Sequence, residues 1–221
     1  MQEEKRTSVV ERVADSIGLN RWFLRRRTIN IDAPPTLIIS PCDSVVDRVA
    51  SIDIDGAVEE KTLWGRQRFI GVSDLLREVP FPEAFHGGTY LKQYLSPFNL
   101  HYLVFPVSGT ILRRERVPGS CFPICVMRTA DIRNERMVFV IETKFGFPII
   151  VVMIGSWMVS AIRSDVRVGK DYRRGDDLGR FRIGSTVVQL FPKDTVRLLV
   201  GNGDRTPIGL PLAEVCSPSR S

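Results

Sequence analysis

From Thr36 to Phe191 the chain is a succession of short apolar, β-branched runs, with turn residues recurring about every ten positions. Periods of that length are too short for packed helices and suit strands of a half-buried or buried sheet. The runs at 36–40, 45–54, 90–95, 101–107, 110–117, 122–127, 137–142, 147–153, 158–162 and 185–191 are predicted strands. Asp55-Gly56 marks a turn between two of them. A short helix is predicted over 72–78, with Ser73 as its cap. The expected fold class is mainly β (α+β), a sandwich or partly closed barrel of short antiparallel strands with an N-terminal amphipathic helix.

That helix is the exception to the β pattern. Val9, Val10, Val13, Ile17, Trp22, Phe23 and Leu24 recur near a helical period over 8–27, with a break near Gly18. Arg21, Arg25, Arg26 and Arg27 are interleaved with them, and Ala33-Pro34-Pro35 ends the segment. Aromatic and arginine side chains at one end of an amphipathic helix suit the surface of an anionic membrane. The alternative is a helix packed on its own domain with a solvated basic end. The divisions expected are a helical segment over 1–32, a β domain over 33–193 and a less committed, Gly/Pro/Ser-containing tail over 194–221.

Charge and composition narrow the functions. The net charge of +6 and pI of about 9.4 suit an anionic membrane, an anionic substrate or nucleic acid. The arginines are spread over loops and form no recognisable nucleic-acid module, so no nucleic-acid partner is expected. No secretory signal opens the sequence and no run of 18 apolar residues occurs. The expectation is a peripheral protein on the cytoplasmic face of a membrane. Cys42, Cys121, Cys125 and Cys216 are too scattered for a disulfide scaffold, and no metal is expected. His86 and His101 are the only histidines.

One tripeptide carries unusual chemistry. Gly184-Ser185-Thr186 opens the run Ser-Thr-Val-Val-Gln-Leu-Phe. A serine hydroxyl can attack the preceding glycine carbonyl and convert the amide to an ester. Elimination then cuts the chain and leaves a ketone, a pyruvoyl group, on the new N-terminus. The charged, glycine-punctuated segment 168–179 leads into this site. It reads either as a long hairpin connection or as a loop holding the scissile bond strained and exposed.

The neighbouring motifs give that tripeptide a context. Ser40-Pro41-Cys42-Asp43-Ser44, Phe85-His86-Gly87-Gly88-Thr89, Tyr94-Leu95-Ser96-Pro97-Phe98-Asn99-Leu100-His101 and Asn134-Glu135-Arg136 occur in that order. Ile154-Gly155-Ser156, Val159-Ser160-Ala161-Ile162 and the segment Gly175 to Thr186 follow. Together they make the chain resemble the phosphatidylserine decarboxylases, pyruvoyl-dependent enzymes made as self-cleaving proenzymes. The resemblance covers about two-thirds of the chain, from Ser40 to Phe191.

It implies a carboxy-lyase that cleaves between Gly184 and Ser185 and makes phosphatidylethanolamine from phosphatidylserine. Ser185 becomes the pyruvoyl cofactor, Asp43 is the activating carboxylate and His101 is the histidine linked to decarboxylation. Its implied partners are phosphatidylserine in an anionic membrane surface and its own two cleavage fragments, with a homodimer also considered. Asn134, Glu135 and Arg136 are expected to form a structural turn with an internal ion pair.

Departures from the family pattern bear on the chemistry. The family's second histidine is Val104 here, which cannot move a proton. Asn99 stands for an aspartate, Leu100 for a tyrosine, and Ser44 and Ser160 for glycines. His101 or His86 could substitute as the base. The alternatives are a pyruvoyl decarboxylase of another amino-acid substrate and an uncleaved, inactive relative that binds lipid or a partner.

Overall fold

The structure, a computed structural model, describes residues 33–61, 67–96, 98–120, 122, 130–156, 162–181 and 185–216. The amphipathic helix over 8–27, the strands over 122–127 and 158–162 apart from Phe122 and Ile162, and Cys121, Cys125, Ser160, Gly184 and residues 217–221 lie outside these.

The first half of the chain supplies β1 (Leu37–Ile39), β2 (Ser44–Ser51), β3 (Ala57–Lys61), β4 (Gln67–Gly71), α1 (Val72–Leu76), β5 (Thr89–Leu95), β6 (Tyr102–Val104) and β7 (Gly109–Val117). Then come α2 (Ala130–Arg133), β8 (Arg136–Thr143), β9 (Pro148–Gly155), β10 (Asp171–Tyr172), β11 (Asp177–Arg180) and β12 (Ser185–Phe191). The last elements are β13 (Val196–Leu198), β14 (Arg205–Thr206) and β15 (Pro211–Val215). An eight-stranded sheet runs β10-β7-β8-β9-β12-β5-β2-β14, and a three-stranded sheet runs β1-β15-β13. Ribbons β6–β11 and β3–β4 complete the set, and all these strand pairs are antiparallel. The large sheet ends in two edge strands and does not close, so the architecture is a sandwich and not a barrel.

β12 sits in the middle of the large sheet, and every one of its residues is buried. A strand covered on both faces reads as a continuous apolar run, which is why Val-Val-x-Leu-Phe is so legible. Val187 and Phe191 join one core with Leu91, Leu95, Leu103 and Phe181. Val188 and Leu190, on the opposite face, join a second core with Tyr90, Leu75 and Val152. Each such side chain contributes about 1.5–3 kcal/mol on leaving water.

Three features depart from the expectations. α1 begins after Gly71, with no side-chain cap bond, so Ser73 does not cap it. The segment after Pro192, expected to be less committed, contributes β13, β14 and β15. These strands pair with one another and with β1 and β2. Segment 168–179 is largely a built connection: Tyr172 pairs with Gly109, and β11 pairs with β6. Arg174 fastens its turn by donating to the carbonyls of Ala33, Pro34 and Leu37.

Candidate functional site

Ser185 is the first residue of β12, hydrogen-bonded in register between Leu95 of β5 and Gly155 of β9. Its side chain is fully buried, and its Oγ has no hydrogen-bond partner among the described residues. A buried hydroxyl normally finds a partner, and leaving it without one costs about 1–3 kcal/mol. Of the four buried side-chain atoms in that condition, three belong to β12: Ser185 Oγ, Thr186 Oγ1 and Gln189 Oε1. Of the two readings of segment 168–179, a loop that exposes the serine is not found, because the strand is roofed on both faces. Gly184 lies outside the described residues.

His101 is also fully buried. Two short routes connect it to Ser185. Leu95, the register partner of Ser185, is six residues upstream of His101. Phe181, four residues upstream of Ser185, donates its N–H to the His101 carbonyl at 2.7 Å. The loop between Leu95 and His101 is held by Asn99, whose Oδ1 accepts from Ser96 N at 2.8 Å and from Ser96 Oγ at 2.6 Å.

The Asn99 carbonyl lies 2.8 Å from His101 Nδ1. A carbonyl can only accept, so Nδ1 carries the proton and Nε2 carries the lone pair. Burial depresses the imidazole pKa to about 4, against a smaller upward pull from the Asn99 bond. The ring is therefore a neutral base near pH 7.

Asp43 is 8 % exposed, in the loop between β1 and β2. The register Val45↔Tyr94 sets Ser44 across from Leu95, in the same row as Ser185. Two strand spacings of about 4.8 Å separate the Ser185 and Ser44 backbones. Asp43 Oδ1 accepts from Ile208 N at 2.8 Å. Val104 donates its N–H to Pro41 O at 2.9 Å, two residues before Asp43. Its side chain belongs to an apolar cluster with Ile39, Leu100 and Tyr102, against which Ile208 packs. Position 104, where the resemblance implies a second histidine, thus lies beside the Asp43 loop and is filled with hydrocarbon.

Ser44 is integrated as well. Its hydroxyl lies 2.7 Å from Thr206 Oγ1 and accepts from Gln93 Nε2 at 2.8 Å. Gln93 also donates to Ser40 Oγ and accepts from Gln189 Nε2 at 2.8 Å. A buried polar chain therefore runs from the Asp43 loop to β12, and nothing in the sequence spacing announced Gln93 or Gln189. Cys42 lies beside this chain, and burial pushes its thiol up to about 12, which keeps it from acting as a nucleophile.

The other motif residues play supporting parts. Asn134 Nδ2 donates to Gly155 O at 2.8 Å, and Gly155 N donates to Glu135 O at 2.9 Å, which fixes the β9 residue beside Ser185. The expected internal ion pair is not formed: Glu135 pairs with Arg116. Arg136, 1 % exposed, donates to the carbonyls of Asp74, Leu75, Ile132 and Asn134. Burial lowers its pKa to about 10, which leaves it charged.

His86 stands apart. It precedes the Gly87-Gly88 pair at the start of β5, beside the Phe81 ring at 5.2 Å. β12 and β5 are antiparallel, so this end faces Phe191, not Ser185. Six residue steps of β-strand put about 20 Å between the two ends. The structure therefore does not bring His86 together with Ser185.

Among the described residues no group of three His, Cys, Asp or Glu side chains could hold a metal. No described helix is long and apolar enough to cross a membrane.

The phosphatidylserine decarboxylase family model matches residues 19–214. The phosphatidylserine decarboxylase proenzyme of Saccharophagus degradans is 29 % identical over 213 residues, covering 81 % of this chain and 70 % of the relative. That of Psychrobacter arcticus is 30 % identical over 198 residues, covering 80 % and 69 %. That of Vibrio vulnificus is 28 % identical over 251 residues, covering 87 % and 86 %. A match running from the segment before β1 into β15, around a buried serine and a neutral histidine, is family-wide and not local: the chain belongs to the phosphatidylserine decarboxylase family.

Proposed function

We propose that this protein is a pyruvoyl-dependent carboxy-lyase. It cleaves itself between Gly184 and Ser185 and converts phosphatidylserine to phosphatidylethanolamine. The observation that carries the reading is the buried, unpartnered Oγ of Ser185 at the start of β12, linked by two short chain segments to a neutral imidazole.

In the cleavage, His101 Nε2 takes the proton from Ser185 Oγ as the oxygen bonds to the Gly184 carbonyl carbon. The bond from that carbon to the Ser185 nitrogen breaks, and the nitrogen receives the proton. Loss of the Ser185 Cα proton then expels the Gly184 carboxylate, and water replaces the nitrogen, which leaves as ammonia. The fragments are residues 1–184 and 185–221, and they remain one fold because β12 is held on both sides by strands of the larger fragment.

Asp43 acts from the same end of the sheet as a carboxylate. Val104 takes no proton, so in this chain the cleavage base is His101, oriented by the Asn99 carbonyl. The pyruvoyl group made from Ser185 supplies a ketone that takes up electrons as carbon dioxide leaves an amine-bearing substrate. The imidazole of His101, neutral at rest, takes the proton that the substrate ammonium gives up on reacting with the ketone and returns it to the substrate carbon.

The substrate reaches the enzyme at an anionic membrane surface, which the basic amphipathic segment 8–27 engages. Carbon dioxide release from phosphatidylserine, compared with free serine, tests the substrate. Release from free serine alone would assign another amino-acid substrate. Removing residues 1–27 should abolish binding to anionic vesicles, and unchanged binding would reject the membrane role of that segment.

A further inference from the structure

Arg163 and Arg180 face each other across an antiparallel bridge. Arg163 N donates to Arg180 O at 3.0 Å, and Arg180 N donates back to Arg163 O at 2.8 Å. On its other side Arg180 pairs with Tyr102 of β6. Residues in such a row project from the same face, and these three line one cleft of about 230 Å³ with Lys170. Gly179 allows the close approach, since a Cβ there would lie 3.0 Å from the Arg163 carbonyl and 2.9 Å from Met153 Sδ.

Two arginines paired across the bridge, with Cα atoms about 5.5 Å apart, put like charges on neighbouring side chains, which is unfavourable. Neither makes a side-chain hydrogen bond or ion pair among the described residues. Asp165 and Asp177 also line the cleft, so it carries three cations against two carboxylates. Two arginines lining one cleft suit the two free oxygens of a phosphodiester.

The position gives the anion its meaning. Tyr102 follows His101 in sequence, and Arg180 precedes Phe181, whose N–H is bonded to the His101 carbonyl. The cleft is therefore lined by the residues next in sequence to His101 and Phe181, on the face of β6 that also carries Val104. We propose that Arg163 and Arg180 hold the phosphodiester of the lipid headgroup while its amine and carboxylate reach toward β12. This rests on the decarboxylase reading above, but the binding it requires can be measured without turnover.

The test uses the full chain with Arg163→Gln, Arg180→Gln and the double substitution. Calorimetric titration with glycerophosphoserine, a soluble phosphodiester, is run beside inorganic phosphate. Each single variant should bind glycerophosphoserine about tenfold more weakly and the double variant more weakly still, the loss of one charge-assisted contact each. Arg180→Lys should recover part of the loss. In micelles of phosphatidylserine the defect should fall on KM, with self-cleavage on a gel as complete as in the parent chain. Equal binding of glycerophosphoserine by parent and double variant would overturn the proposal, as would an unchanged KM. Inorganic phosphate bound more tightly than glycerophosphoserine would also overturn it, in favour of a free-phosphate site. If the parent chain binds glycerophosphoserine through these arginines yet never cleaves, the headgroup site stands and the enzymatic reading falls.

Discussion

The two ends of β12 and its partner β5 are built from similar materials and do opposite things. Each end has a histidine on the β5 side and a close backbone approach. At the Phe191 end, Gly87 takes a positive φ of 73°, and a Cβ on Gly88 would lie 2.2 Å from the Phe191 carbonyl. Backbone fills the space, and His86 rests against Phe81. At the Ser185 end the hydroxyls of Ser185 and Thr186 are buried without partners, and His101 is buried and neutral. At one end backbone packing fills the space. The other holds two buried hydroxyls without partners among the described residues, the arrangement that the proposed chemistry uses.

Removing the proposed nucleophile gives the largest contrast. Ser185→Ala should leave a single uncleaved chain at any incubation time, while the fold is retained because the change only deletes an unpartnered hydroxyl. A cleaved Ser185→Ala chain on a denaturing gel would mean that the scissile bond lies elsewhere.

The two histidines come next. His101→Ala should slow cleavage by about 10²–10⁴-fold, the usual contribution of a positioned base, whereas His86→Ala should change it less than about twofold, since that ring lies outside the reach of proton transfer. Val104→His in the His101→Ala background restores a ring beside the Asp43 loop and should recover about tenfold or more of the lost rate. Equal effects of the two histidine substitutions in a timed gel assay would dissolve the distinction between the ends.

Stability should separate the ends in a different way. Gly88→Ala should cost about 3 kcal/mol in urea unfolding, because the added carbon meets backbone that cannot yield. Protein that still folds should cleave normally.

The acid side of the stability profile belongs to the other end. His101 titrates at about 4 when folded and near its ordinary 6.5 when unfolded. Between those values the unfolded chain binds more protons. The contribution of His101 is therefore fully present above about pH 6.5 and is lost as pH falls toward 4, by about 3 kcal/mol in total. His101→Gln should flatten that limb, and an unchanged limb would show that the ring is not held neutral by burial.

Much of this contrast was legible in the sequence. β12 follows from the apolar run Val-Val-x-Leu-Phe behind Ser185-Thr186, and β8 and β9 from short β-branched apolar runs bounded by turn residues. The strands after Pro192 did not announce themselves, because they are two to five residues long and interrupted by Gly and Pro. Asp43 and His101 could be named only through motif resemblance. Their shared end of the sheet depends on the pairing of β2, β5 and β12, which is long-range. Gln93 and Gln189 carry no sequence signal, since a buried amide within a strand looks like a solvent-facing one until its neighbours are known. The Glu135 partner was misread for a related reason: Arg136 is adjacent in sequence, but strand alternation turns it to the opposite core, leaving Glu135 to Arg116.

The central claim is that the Gly184-Ser185 bond breaks without the family's second histidine. Intact-mass analysis of the purified chain tests it directly. The account predicts two chains, residues 1–184 and 185–221, the smaller without a free amino terminus. A single species at the full 25.0 kDa, stable on incubation at neutral pH, would contradict it.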